Sequence, residues 1–146
     1  MRYVTREADT DFVPLAKEFA YIENYMALQQ LRLDDTAQID FLIKGHPNGQ
    51  QISPLILISF IENAFKYGVN PQEKSLVQVH LSITENRLHL RTFNKKVRIF
   101  HEDDSSNGIG VENTKTRLKL LYPEKHLLIL NETAHDFTVE LTLYLS

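Results

Sequence analysis

The chain has 146 residues, 42% of them hydrophobic and 24% charged, the proportions of a single globular domain. That length buries roughly two thirds of the unfolded surface, so no disulfide or structural metal is needed, and zero cysteines exclude a thiolate zinc site and a cysteine nucleophile. Sixteen basic against 19 acidic residues leave a net charge of −3, which excludes the strong basic field that holds nucleic acid.

Phe12, Leu15, Phe19, Ile22, Met26 and Leu33 fall at helical spacing and predict a helix over 13–33, with Pro14 in its first turn and Asp11 or Thr10 as cap. The stripe is too short for a coiled-coil seam, so one face packed on a core is expected. QIDFLIK (38–44) alternates as a short strand does, and GHPNGQQ (45–51) reads as a loop. Ser53 and Pro54 predict a cap and first position for a helix over 54–67, ended by Gly68. Two alternating runs, 76–84 and 87–93, flank Glu85-Asn86 as a hairpin would. The polar segment 95–107 has no period and is expected to be a mobile loop. A helix over 110–122 follows, with Val111, Thr114, Leu118 and Leu121 on one face and Pro123 beyond its end, and two strands over 126–131 and 137–145 close the chain. No internal repeat is present.

Two places break their own pattern. The helix from Pro54 is almost wholly apolar, yet Ser59, Glu62, Asn63 and Lys66 share one face. An exposed stripe is the plain reading. A carboxylate, an amide and an ammonium on so short a strip are also able to hold a cation and a polyanion together, and oxygen donors of this kind suit Mg²⁺ shared with substrate phosphates. The second break is Asn107-Gly108-Ile109-Gly110, between a polar loop and a helix. Glycines there allow close backbone approach, and the free amides of a helix start attract phosphate. Asn113, Lys115 and Arg117 follow in the next two turns. Together the two features suggest a Mg-nucleotide site between two helices, closed by the loop 95–107.

At these residues the chain resembles a known family. IENAFKYG (61–68) is similar to the asparagine box of the GHKL ATPases, and SPLILISFIENAFKYG (53–68) to its form in LytS-like sensor histidine kinases. GIGVENTKTRLKLLYP (108–123) resembles that subfamily's second glycine box and the helix after it. VPLAKEFAYIENYMALQQLRL (13–33) resembles its opening helix, with Leu15, Glu18, Tyr25, Gln29, Leu31 and Arg32 at the pattern positions. The resemblance implies an α/β (α+β) two-layer sandwich, a mixed β-sheet with helices packed on one face in the GHKL (Bergerat-type) fold, binding ATP and Mg²⁺. It makes Asn63 the Mg²⁺ ligand, Lys66 a phosphate contact and Glu62 a polar neighbour of the metal or its water. It makes Gly108, Ile109 and Gly110 a lid hinge with amides for the phosphates. Asn113 and Arg117 stand near the phosphate end or hold the lid base.

The first glycine box departs from the family pattern. Asn94 stands where an aspartate meets the adenine amine, and Lys95 and Lys96 stand where asparagine and glycine are usual. Asp136-Phe137 replaces a common Gly-Thr. None of His46, His80, His89, His101, His126 and His135 lies in a helix with the surroundings of a phosphoacceptor histidine, so the acceptor is expected on dimerisation helices preceding this chain. The resemblance therefore implies residues 1–12 as a linker from those helices and 13–146 as the ATP-binding domain of a bacterial two-component sensor kinase. Its partners would be the acceptor helices of the parent and a response regulator. With those helices missing, a monomer is the default. No apolar run reaches the ~18 residues of a membrane span, and the opening MRYVTREADTD lacks the apolar stretch of a signal peptide. A cytoplasmic domain of a parent anchored in the inner membrane is expected. The alternative is a degenerate module, a pseudokinase, that keeps the fold as an interaction platform; Asn94-Lys95-Lys96 favours it and Asn63 with Gly108-Ile109-Gly110 opposes it.

Overall fold

The computed structural model describes residues 12–70, 72–97 and 105–145, with backbone alone at 34 and 105–110. Its elements run β1 (Val13–Pro14), α1 (Leu15–Leu33), a short 3-10 turn, β2 (Ala37–Lys44), β3 (Gln51–Ile52), α2 (Ile56–Gly68), β4 (Ser75–Thr84), β5 (Arg87–Lys95), α3 (Ser105–Leu121), β6 (His126–Glu132) and β7 (Asp136–Tyr144). The main sheet has the order β2-β4-β5-β7-β6, parallel only between β2 and β4. The period-2 pattern decides its faces. Val77, Val79, Leu81 and Ile83 of β4, Leu88 and Leu90 of β5, and Val139, Leu141 and Leu143 of β7 are buried. They join Leu15, Ile22 and Met26 of α1, Leu57, Phe60 and Ile61 of α2, and Leu118 of α3 in one core. The opposite face is half-exposed and polar: His80 meets Asp40 at 3.3 Å and His89 meets Glu140 at 3.4 Å. The two-layer sandwich, with helices on one face of a mixed sheet, is the expected fold.

The hairpin 75–95 turns at Glu85-Asn86, with Glu85 in the left-handed region at φ +54°. Both β4 and β5 run slightly beyond the predicted strands. The helix starts differ more. Val13 and Pro14 are not the first turn of α1; they pair antiparallel with Ile52 and Gln51, and the Leu15 amide donates to the Gln50 carbonyl at 2.9 Å. The expected caps Thr10 and Asp11 lie outside the described residues, as does the proposed boundary at 1–12 apart from Phe12.

α2 begins at Ile56 rather than Pro54, because Leu55 takes φ +70°, a left-handed conformation that interrupts the helix. For a leucine this costs about 1–2 kcal/mol, and the turn persists because other elements hold it. The Leu55 amide donates to Glu18 Oε1 of α1 at 3.2 Å, and the Leu55 carbonyl accepts from Ser59 Oγ at 2.7 Å. The Ser53 amide donates to the Tyr122 hydroxyl at 3.0 Å. Ser53 does not cap α2; its hydroxyl accepts from Arg117 Nη2 at 2.7 Å, which also donates to the Pro54 carbonyl at 2.7 Å.

α1 and α2 meet through Tyr25, whose ring stands edge-on to Phe65 with centroids 5.7 Å apart. Burial first, and the Glu62 carboxylate second, push the Tyr25 phenol from 10.0 up to about 12. The folded state thus keeps a proton that the unfolded chain releases, so the contribution is complete below pH 10 and disappears as pH rises through about 12. Tyr25→Phe retains the ring contact without the titration. Urea melts across pH 9 to 12.5 are expected to show a shallower alkaline loss of stability in this variant; parallel profiles would refute the assignment.

Candidate active site

α2 is enclosed on most of its circumference. Ile56, Leu57, Ile58, Phe60, Ile61, Ala64 and Phe65 are buried, whereas Ser59 and Asn63 are half-buried and Glu62 and Lys66 exposed. The polar residues therefore occupy one strip open to solvent, as their spacing predicts. Glu62 lies toward the Tyr25 phenol and raises its pKa. Lys66 Nζ sits 5.6 Å from the centre of the Tyr67 ring. No hydrogen bond or ion pair among the described residues engages the Asn63 carboxamide, so its oxygen is available to a ligand.

The far end of α2 rests on the sheet. A Cβ built on Gly68 would lie 2.7 Å from Asn94 Cβ and 3.0 Å from Val77 Cγ2, so a hydrogen is required at this position. Under it Asn94 is 1% exposed. Its Nδ2 donates to the Lys95 carbonyl at 3.2 Å, which leaves Oδ1 as the acceptor. Lys95 is no part of a loop: it is the last residue of β5, opposite Asp136. Lys96 is also tied, its amide donating to the His135 carbonyl at 2.8 Å and its Nζ pairing with Glu132 at 2.5 Å. The Val97 amide donates to the Tyr67 carbonyl at 3.3 Å. The middle of the expected loop, 98–104, lies outside the described residues.

α3 corrects the second motif. The helix begins at Ser105 instead of Gly110, so Gly108, Ile109 and Gly110 lie inside its first two turns. In a helix from Ser105 the last amide without an intrahelical acceptor is that of Asn107. The amides of Gly108, Ile109 and Gly110 therefore all enter the helical ladder. Two glycines weaken this stretch by about 1 kcal/mol each relative to alanine without forbidding it, and the glycine signal was read as a boundary. Asn113 is exposed on the next turn. Arg117 reaches the 53–54 turn, where it donates to the Ser53 hydroxyl and the Pro54 carbonyl. Its Nε is buried and has no partner among the described residues. Leu55, next to that contact, lies eight residues before Asn63, about 12 Å along the helix axis. Arg117 thus ties α3 to the turn before α2, while the contact of Gly68 with Asn94 lies at the other end of α2.

Glu18, Ser53 and Tyr122 were missed as parts of this frame. A readable signal existed for Glu18, a carboxylate beside the buried face of an amphipathic helix, 7% exposed here.

The histidine kinase family model matches residues 1–37, which include all of α1. An uncharacterised sensor-like histidine kinase of Staphylococcus epidermidis is 33% identical over 111 residues, covering 76% of this chain and 19% of the relative. The sensor protein kinase HptS of Staphylococcus aureus is 27% identical over 115 residues, covering 79% and 20%. Over about three quarters of its length the chain is thus similar to sensor histidine kinases. It spans about a fifth of the length of the curated relatives it matches. Its fold is that of solved histidine kinase catalytic domains. That of histidine kinase ThkA aligns at TM-score 0.60 and 10% identity, covering 92% of this chain and 95% of that one. The blue-light activated histidine kinase EL346 of Erythrobacter litoralis aligns at 0.62 and 13%, covering 92% and 42%.

Gly68→Ala is expected to destabilise the chain by about 1–3 kcal/mol, since the new methyl meets a strand side chain at its stiff Cβ rather than at a flexible end. Chemical denaturation reads this directly, and an unchanged midpoint would contradict the packing described. Arg117→Ala removes two charge-assisted bonds from the 53–54 turn and should cost about 1–3 kcal/mol; a loss under 0.5 kcal/mol would show that the turn stands without it.

Proposed function

We propose that this chain is the ATP-binding catalytic domain of a bacterial two-component sensor kinase. It binds Mg-ATP along the open strip of α2 and presents the γ-phosphoryl group to a histidine outside the chain. The observation that carries this reading is the conjunction at α2: an otherwise buried helix leaves one polar strip, with an unengaged Asn63 carboxamide, and ends on the buried Asn94.

The donor set fits the ligands. Asn63 supplies an oxygen for Mg²⁺, with Glu62 positioned for the metal or its water, and such oxygens shared with phosphates are the usual Mg²⁺ environment. Lys66 offers its ammonium to the phosphates. Asn94 Oδ1 accepts from the adenine amine at the floor of the site. The backbone around Gly108, Ile109 and Gly110 meets the phosphates when the weak first turns of α3 rearrange, with Asn113 beside it and Arg117 holding the base. Phosphoryl transfer asks little covalent chemistry of the protein, so positioning and charge neutralisation carry it.

The described histidines support an acceptor elsewhere. His80, His89 and His126 lie in strands, His46 in the loop before β3 and His135 in the turn before β7; His101 lies outside the described residues. The reading extends to residues 1–12 as linker and 13–146 as the catalytic domain, to acceptor helices and a response regulator as partners, and to a membrane-anchored parent. No described helix is long and apolar enough to cross a membrane. In dilute solution the isolated chain is a monomer.

Calorimetric titration of the purified chain with ATP, with and without Mg²⁺, tests this function. Mg-dependent binding is expected, weakened at least about tenfold, 1.4 kcal/mol, in Asn63→Ala with an unchanged melting temperature. Equal affinity in the variant would remove the metal-ligand role. Absence of any binding at millimolar ATP would overturn the kinase reading in favour of the interaction platform.

A further inference from the structure

The two edges of the main sheet are protected differently. β2 carries Asp40 and Lys44 on its outer face, charges that commonly keep sheet edges from pairing. β6 reads His-Leu-Leu-Ile-Leu-Asn-Glu, with ionisable groups only at its ends. Leu127 is 56% and Ile129 48% exposed on the outer face, and Leu128 and Leu130 are half-buried on the helical face. β6 is terminal in the strand order, and among the described residues nothing pairs with its free side. An uncharged, apolar edge strand with no proline invites another strand.

We propose that the free edge of β6 pairs antiparallel with β6 of a second copy of this chain, continuing one five-stranded sheet into the other. The backbone fixes which residues are able to pair. The Thr133 amide donates to the Asp136 carbonyl and the Tyr144 amide to the Lys125 carbonyl. Odd-numbered residues of β6 therefore bond inward to β7, and His126, Leu128, Leu130 and Glu132 turn their amides and carbonyls to the open side. An antiparallel pair centred on Ile129 sets Leu128 opposite Leu130 of the second copy and His126 opposite its Glu132. Every outward-facing backbone group of the strand then meets a like position. Ile129 meets Ile129 at a close, non-hydrogen-bonded position. Among two-fold registers this one puts apolar opposite apolar at 128 and 130, and Glu132 keeps its ion pair to Lys96 within its own chain. The second copy is the favoured occupant because the outward backbone groups and the apolar run Leu127–Leu130 are complementary to themselves in this register.

A seven-residue strand pair is small beside the roughly 1,600 Å² of a standard interface. Association is accordingly weak, and the monomer of dilute solution gives way to dimer as concentration rises.

Sedimentation velocity of the full chain from 10 µM to about 1 mM is expected to show a monomer–dimer equilibrium. Ile129→Lys should weaken it at least about tenfold by opposing two like charges, whereas Leu42→Lys on the other edge should leave it unchanged. The register has its own readout, because the chain has no cysteine. Ile129→Cys places two thiols across the axis on Cα atoms about 4.5 Å apart, within disulfide reach. Leu127→Cys places them four residues apart along the strands, about 13 Å. Mild oxidation should cross-link the first variant and not the second, a result that stands even where Ile129→Lys fails to fold. Monomer at every concentration, a dimer insensitive to Ile129→Lys, or equal cross-linking of both cysteine variants would overturn the proposal.

Discussion

The three peptide units 53–55 hold the helical layer together. Leu55 sits at φ +70°, a conformation leucine does not choose, and it stays there because Glu18 from α1 takes its amide while Arg117 of α3 and Tyr122, just past its end, bind the two residues before it. One strained turn thus receives contacts from both neighbouring helices. It sets where α2 starts and hence which residues face outward. A start at Pro54 would have kept the apolar count of the helix and lost this junction.

From that start, burial dictates the rest. Leu57, Phe60, Ile61 and Ala64 are consumed by the core, and the strip Ser59, Glu62, Asn63 and Lys66 is what remains open. At the far end Gly68 lets α2 descend onto Asn94, so a carboxamide lies at the foot of the polar strip. The tight end is stiff, whereas the start of α3 carries two glycines in its first two turns. A close-packed floor beside a helix start that carries two glycines is what the proposed Mg-ATP site would draw on.

Much of the architecture was legible because period and turn chemistry agree. β4 and β5 alternate on either side of Glu85-Asn86, and α1 has an unbroken apolar stripe. The polar strip of α2 was legible for the same reason: four polar residues at helical spacing in an apolar segment have only one face to occupy. The helix starts were not. Pro14 and Pro54 both look like first-turn prolines, yet pairing of Val13 with Ile52 and the Glu18–Leu55 bond move each start downstream. These partners lie 39 and 37 residues apart in sequence, beyond any local signal. Gly108 and Gly110 misled in the opposite direction, since glycine marks helix ends more often than helix beginnings. The family pattern points to Arg117, but its bonds to Ser53 and Pro54, 64 and 63 residues away in sequence, have no local signal.

The central claim is that one site joins the strip of α2, the floor at Asn94 and the first turns of α3. Amide chemical shifts of the isotopically labelled chain, followed through a Mg-ATP titration, test it most directly. The account predicts that the largest changes fall on 62–66, 94–97 and 105–113, with the outer sheet face at His80, Arg91 and Glu140 silent. Shifts concentrated on that outer face, or none in α2, would contradict it.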